Sequence, residues 1–137
     1  MLTPQTIPTP CYLIYEERLR SNLRLISDVS RRSGAKIIMA FKANAVWRTF
    51  DIIGEYCRDF TASSLNELEL GNTTLGGDAH SYCPAYTDDT IEKYIAGSTH
   101  ITFNSLDQAR RFAPKALAAG VSTGLRVNPQ CSVIETD

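Results

Sequence analysis

The sequence predicts an α/β fold in which repeated βα units build a parallel sheet. Three observations carry that prediction. Runs of strand length recur about every 20–24 residues, starting at Lys36, Phe60, His80, His100 and Ser122. A stretch with helical periodicity follows each of the first four. Two of those stretches open on capping-box patterns, Ser64-Leu65-Asn66-Glu67 and Ser105-Leu106-Asp107-Gln108. The chain has 137 residues, 43% apolar and 21% charged, which allows one domain with a real core and does not fit disorder.

Thr6-Ile7-Pro8-Thr9-Pro10 opens with two prolines, which forbid a helix and favour an extended lead-in. Cys11–Tyr15 is β-branched and aromatic enough for a short strand. From Glu16 to about Arg32, Leu19, Leu23, Ile26 and Val29 share one helical face, and Gly34 is placed to cap the C-terminus. Lys36–Phe41 is too short and too continuously apolar for a surface helix and reads as a buried strand. Val46–Arg58 reads as a helix with Val46, Phe50, Ile53 and Cys57 inward. Phe60–Ser63 is a strand, and the helix after it can stop at Gly71. His80–Tyr86 is a strand, and Thr87–Ala96 a helix with Ile91 and Ile95 inward, closed by Gly97. His100–Asn104 is a strand, and a helix runs from Ser105 to Gly120. Ser122–Asn128 is the fifth strand of the series, stopped by Pro129. Gly76-Gly77-Asp78 is a turn and not a phosphate loop, since no strand precedes it and no helix follows it.

Two architectures suit that order: a small doubly wound sheet, or the first half of a (β/α)₈ barrel, whose whole length is about 250 residues. The sequence stops at Glu135-Thr136-Asp137 with no helix to cover the last strand, which favours an incomplete barrel. The expectation is a single domain over residues 1–137.

A net charge of −1 provides no field for nucleic acid or an acidic membrane. No apolar run approaches the roughly 20 residues of a membrane span. Met1–Gln5 lacks the basic and apolar regions of a signal peptide. Cys11, Cys57, Cys83 and Cys131 are far apart, and neither His80 nor His100 sits among them, which argues against a zinc site and a disulfide framework. Reduced cysteines in a cytoplasmic protein are the plain reading.

One residue points to chemistry. Lys42 follows the apolar run Lys36–Phe41, and a partly dry pocket at a strand end favours the neutral amine, which can attack a carbonyl and form a Schiff base. In a βα-barrel that strand end is also the active-site end.

The blocks Thr9-Pro10-Cys11-Tyr12-Leu13, Ala40-Phe41-Lys42-Ala43 and Trp47 resemble the opening of the fold-type III pyridoxal-phosphate enzymes, and within them the carboxynorspermidine/carboxyspermidine decarboxylase family. Thr61-Ala62-Ser63-Ser64-Leu65 with Glu67 and Leu70-Gly71 is similar to that family's second strand and helix. His80–Tyr86, Phe103-Asn104-Ser105-Leu106 and Gly124–Pro129 are similar to its next three strands. The likeness runs through the whole chain in order and is specific in combination.

The resemblance implies the N-terminal part of a barrel of the alanine racemase/ornithine decarboxylase type, a pyridoxal 5'-phosphate cofactor, and a homodimer in the full-length family. It implies loss of CO₂ from carboxynorspermidine or carboxyspermidine in polyamine biosynthesis. Carried over residue by residue, it makes Lys42 the Schiff-base lysine and puts Arg126 near the cofactor's ring hydroxyl. Ser63 and Glu67 would line the cofactor pocket. The family's remaining strands, phosphate loop, ring-nitrogen acid and C-terminal β-domain have no counterpart here, so a fragment inactive by itself is expected. A pyridoxal-phosphate-binding barrel without strong turnover, or a silent fragment, are the alternatives.

Blander readings stand beside these. Arg126 suits a strand-end ion pair, and Glu67 completes the capping box with Ser64. Ser63 suits a tight barrel layer. His80 and His100 start strands at the end opposite the active one, which makes them structural. Trp47 and Tyr86 suit core packing.

Overall fold

The computed structural model of the chain describes residues 6–131. Helix α1 spans Glu16–Ser33, with Glu16 and Glu17 in its first turn and Arg31 and Arg32 in its last, matching the helix dipole at both ends. Gly34 closes it at φ 72°, a left-handed cap that glycine adopts freely. Strand β1 is Met39–Ala40, and a single 3₁₀ turn, Trp47–Thr49, leads into α2, Phe50–Gly54. Then come β2 (Phe60–Ala62), α3 (Leu65–Thr74), β3 (Ala79–Tyr82), α4 (Asp88–Gly97), β4 (His100–Phe103), α5 (Leu106–Ala118) and β5 (Ser122–Leu125).

The five strands form one sheet in the order β1-β2-β3-β4-β5, each neighbour parallel. That order separates the two candidate architectures. A doubly wound sheet reverses its strand order at a switch point. This sheet advances one strand at a time in one direction, as a barrel does.

Register assigns the faces. Ala40, Thr61, His80, His100 and Ser122 lie in one row across the sheet. Two residues on, the same face carries Tyr82, Thr102 and Gly124. The opposite face carries Phe60, Ala62, Ala79, Ser81, Ile101 and Phe103, all buried beneath the helices. The helices supply Phe50, Ile53, Leu68, Ile91, Ile95 and Phe112 to that core. At each fully buried phenylalanine the burial is worth about 1.5–3 kcal/mol.

Several expectations are corrected. Cys11–Tyr15 is no strand: it is exposed throughout, with Tyr12 fully so, and joins no sheet among the described residues. Strand propensity without a partner to pair with leaves irregular chain. The lead-in before it forms turns and bends instead of an extended segment. The expected helix over Val46–Arg58 shrinks to the 3₁₀ turn and five residues of α2. Phe50 and Ile53 are buried as expected, but Val46 is exposed. Gly71 does not stop α3; it is buried inside it, and the chain turns at Gly76 with φ 64°. Trp47 is 56% exposed and not in the core, whereas Tyr86 is buried against Tyr94 and Phe103. Among the described residues, no helix is long and apolar enough to cross a membrane.

Candidate active site

The C-terminal strand ends meet along one edge of the uncovered face. After β1 the chain turns through Phe41–Ala43, with the Ala43 N–H on the Ala40 carbonyl at 2.9 Å. Phe41 is buried, stacked between Phe50 at 5.0 Å and Phe60 at 5.2 Å. Anchoring Phe41 on the helix side puts its neighbour Lys42 on the open side. Asn44 holds the loop beyond, its side-chain oxygen accepting the Val46 N–H at 3.0 Å.

Lys42 Nζ lies 5.6 Å from the centroid of the Tyr82 ring. Tyr82 ends β3, and its hydroxyl donates to Asn104 Oδ1 at 2.8 Å. The Tyr82 hydroxyl oxygen in turn accepts from Arg126 Nη1 at 2.7 Å, and Arg126 Nη1 is 3.4 Å from Asn104 Oδ1. The Arg126 N–H donates to the Phe103 carbonyl at 2.9 Å, so the ladder holds its backbone one residue past β5. Lys42, Tyr82, Asn104 and Arg126 thus come from the ends of β1, β3, β4 and β5. Among the described residues, neither Lys42 nor Arg126 has a carboxylate at ion-pair distance.

Ser63 and Glu67 occupy the end of β2 and are joined to each other. Ser64 Oγ caps α3 by accepting the Glu67 N–H at 3.2 Å. The Glu67 carboxylate reaches one residue beyond the expected box partner and accepts the Ser63 N–H at 2.6 Å. No hydrogen bond or ion pair joins this pair to Lys42 or Arg126 among the described residues. The Ser63 backbone is therefore held by a charge-assisted bond, and its hydroxyl stays free of Glu67.

Tyr86 braces the site from behind. Its hydroxyl accepts the Cys83 N–H at 3.0 Å and lies 3.1 and 3.2 Å from the Ser81 and Thr102 carbonyl oxygens, spanning the ends of β3 and β4. Burial pushes its phenol above the ordinary tyrosine range. Deeper on the open face, the His80 and His100 rings are 5.2 Å apart. His100 is held by Ser122 Oγ at 3.0 Å and Thr102 Oγ1 at 3.2 Å, and burial, then the neighbouring His80, lowers its pKa. Both histidines sit toward the strand starts, away from Lys42.

Sequence reasoning singled out Lys42 and Arg126, and the fold brings both to one phenol. It passed over Tyr82 and Asn104, although the signal was there. Alternation along His80–Tyr82 and His100–Asn104 sends both side chains to the open face, level with Lys42 and Arg126. Among the described residues, no group of three or more His, Cys, Asp or Glu side chains is placed to hold a metal ion. An amine and a guanidinium converging on a neutral phenol and amide, with no carboxylate between them, suit a ligand with a reactive carbonyl carbon and an anionic oxygen.

No protein-family model matches the chain. Curated relatives do. A carboxynorspermidine/carboxyspermidine decarboxylase of Herminiimonas arsenicoxydans is 40% identical over 131 residues, covering 96% of this chain and 35% of that protein. Its namesake from Campylobacter jejuni is 36% identical over 129 residues, covering 94% of this chain and 33% of that protein. A carboxyaminopropylagmatine decarboxylase of Synechocystis is 33% identical over 132 residues, covering 96% of this chain and 34% of that protein. The crystal structure of carboxynorspermidine decarboxylase from C. jejuni, complexed with norspermidine, superposes with a TM-score of 0.86 at 37% identity, covering 92% of this chain and 34% of that one. The chain spans about a third of the length of the relatives it matches, and its sheet corresponds to the N-terminal part of the decarboxylase barrel.

Proposed function

We propose, on the premise that this chain is homologous to the N-terminal part of carboxynorspermidine/carboxyspermidine decarboxylases, that it carries the cofactor lysine of a pyridoxal-phosphate-dependent decarboxylase. The substrate class is a carboxylated polyamine, carboxynorspermidine or carboxyspermidine, and the setting is the cytoplasm. The observation that carries the reading is the convergence of Lys42 and Arg126 on Tyr82 at the C-terminal strand ends.

The donor set suits the cofactor. Lys42 offers an amine to its carbonyl carbon, Arg126 offers guanidinium donors to an anionic ring oxygen, and Ser63 offers a hydroxyl at the neighbouring strand end. Glu67 shapes that end by holding the Ser63 N–H. When bound, pyridoxal phosphate supplies the sink for the electron pair left at Cα as CO₂ departs. Lys42 Nζ would hold the cofactor, and its amine would be the group placed to return a proton to Cα. Arg126, held by Tyr82 and Asn104, would present its remaining donors to the cofactor in one orientation.

Lys42 and Arg126 are both exposed on the open face. Water at an open site weakens the electrostatic help on which such chemistry depends.

Pyridoxal phosphate added to the purified chain is expected to give a visible absorbance band that Lys42→Ala abolishes, and borohydride reduction should fix the label on Lys42. A wild-type chain with no band, or a label on Lys36, Lys93 or Lys115 instead, overturns the reading. CO₂ release from carboxynorspermidine, measured on the same chain, separates a turning-over enzyme from a cofactor holder.

A further inference from the structure

We propose that Tyr82 is the positioning residue of this site: its hydroxyl aims Arg126 and its ring seats Lys42, so the two cations act as one unit. The proposal rests on the reading of Lys42 and Arg126 as cofactor-holding groups and assigns a role to a residue outside that pair.

Two like charges near one another and without a carboxylate partner repel, and long side chains spread into solvent unless something holds them. Tyr82 holds both. Its hydroxyl donates to Asn104 Oδ1 at 2.8 Å, which leaves its oxygen lone pairs for Arg126 Nη1 at 2.7 Å. The Tyr82–Asn104 bond therefore polarises the phenol oxygen in the sense that strengthens its hold on the guanidinium. The ring itself lies 5.6 Å from Lys42 Nζ and 5.8 Å from Arg126 Cζ, within cation–π reach of both. Because only one Arg126 terminal nitrogen is engaged with Tyr82 and Asn104, the remaining guanidinium donors stay available to an anion. A carboxylate in place of Tyr82 would neutralise the arginine; the neutral phenol orients it and leaves its charge for the ligand.

Tyr82 is half-buried on the open face and is absent from the packed core. Its loss should therefore disturb the site more than the fold. Tyr82→Phe keeps the ring beside Lys42 and Arg126 and removes the hydroxyl's hydrogen bond to Arg126. The expected result is a loss of pyridoxal-phosphate affinity of about tenfold, the scale of one hydrogen bond to a charged group, with the thermal midpoint nearly unchanged. Arg126→Lys should weaken binding comparably, and the Tyr82→Phe/Arg126→Lys double variant should be little worse than either single one. A second readout needs no cofactor: in the unloaded chain, the heteronuclear NOE of the Arg126 side-chain Nε–H should fall in Tyr82→Phe. An unchanged NOE overturns the proposal, as does additive loss in the double variant. A lowered midpoint with unchanged affinity would make Tyr82 merely structural and also overturn it. If wild-type chain gives no cofactor band, the reading of the site fails while the NOE still decides whether Tyr82 orients Arg126.

Discussion

Gly71 lacks a side chain where Phe60 leaves no room for one. A Cβ at that position would lie 2.2 Å from the Phe60 ring, far inside contact distance. Phe60 cannot yield, because it is fully buried and stacked on Phe41 at 5.2 Å. Gly71→Ala should gain about 1 kcal/mol of helix propensity and lose about 1–3 kcal/mol to overpacking. The clash dominates because the obstructing atoms belong to a rigid ring and not to the end of a flexible chain. A lowered urea midpoint is the expected outcome, and a raised one would show that the ring moves aside. Since Phe41 stacks on Phe60 and precedes Lys42, the displaced ring should also disturb the lysine. Gly71→Ala is therefore expected to weaken the cofactor band of the wild-type chain along with the fold. A position read in the sequence as a helix stop is instead a packing contact that sets the floor beneath the site.

At the scale of elements, the strand starts are tied by charge and the strand ends carry the site. Lys36, ahead of β1, reaches Asp59 at 3.1 Å and Asp78 at 2.5 Å, ahead of β2 and β3, and the Asp78 N–H donates to Asp59 Oδ1 at 2.7 Å. Burial pushes the Asp59 carboxyl up, but the Asp78 N–H and the Lys36 ammonium outweigh it and hold it below the ordinary value. A depressed carboxyl binds its proton less readily folded than unfolded, so its contribution is present above the unfolded value near about 3.9 and is lost as pH falls through the folded one. Urea midpoints should therefore decline in acid below about pH 4, and Asp59→Asn should flatten that decline. Equal acid slopes for the two proteins would remove the tie from the account. Order and type of these elements were legible in the sequence, because runs of strand length recur at a regular spacing with helical periodicity between them, and two caps read as Ser-x-x-Glu and Ser-x-x-Gln. Cys11–Tyr15 was misread, since strand propensity has no force without a neighbour to pair with. The placement of Lys42 and Arg126 at strand ends was legible through resemblance and position, and their roles at the cofactor are the proposal made above. Alternation marked Tyr82 and Asn104 as facing the open side, but their contact with each other arises from register between strands far apart in sequence.

Across the whole molecule the packing is graded. The fully buried large side chains Phe50, Phe60, Phe103, Phe112, Ile91 and Ile101 lie between the sheet and α2, α4 and α5. Helix α1 contributes one buried residue, Leu23, while Leu25, Ile26 and Val29 remain 63%, 41% and 41% exposed. Between α1 and β1 lies a groove of about 350 Å³ lined by Leu19, Leu23, Ile26, Ile37, Met39 and Ile53. β1 itself is two residues long and is paired on one side only among the described residues. What ties α1 to α2 in charge is the Arg20–Glu55 pair, at 2.6 and 3.1 Å, and an exposed pair of this kind adds little stability. One buried residue on α1 and an apolar groove at its seam predict a unit that opens before the rest. Hydrogen exchange on the 137-residue chain should accordingly show α1 and Met39 exchanging well ahead of the amides of β2, β3 and β4. The barrel-end site would feel that opening at one point, because Lys42 follows β1 while Tyr82, Asn104 and Arg126 follow β3, β4 and β5. Lys42 should then be the group of the site whose backbone opens most readily, and a ligand joined covalently to Lys42 should slow exchange in β1 and α1 most. Protection in α1 equal to that of Ile101, or slowing by pyridoxal phosphate confined to β3–β5, would contradict this graded picture.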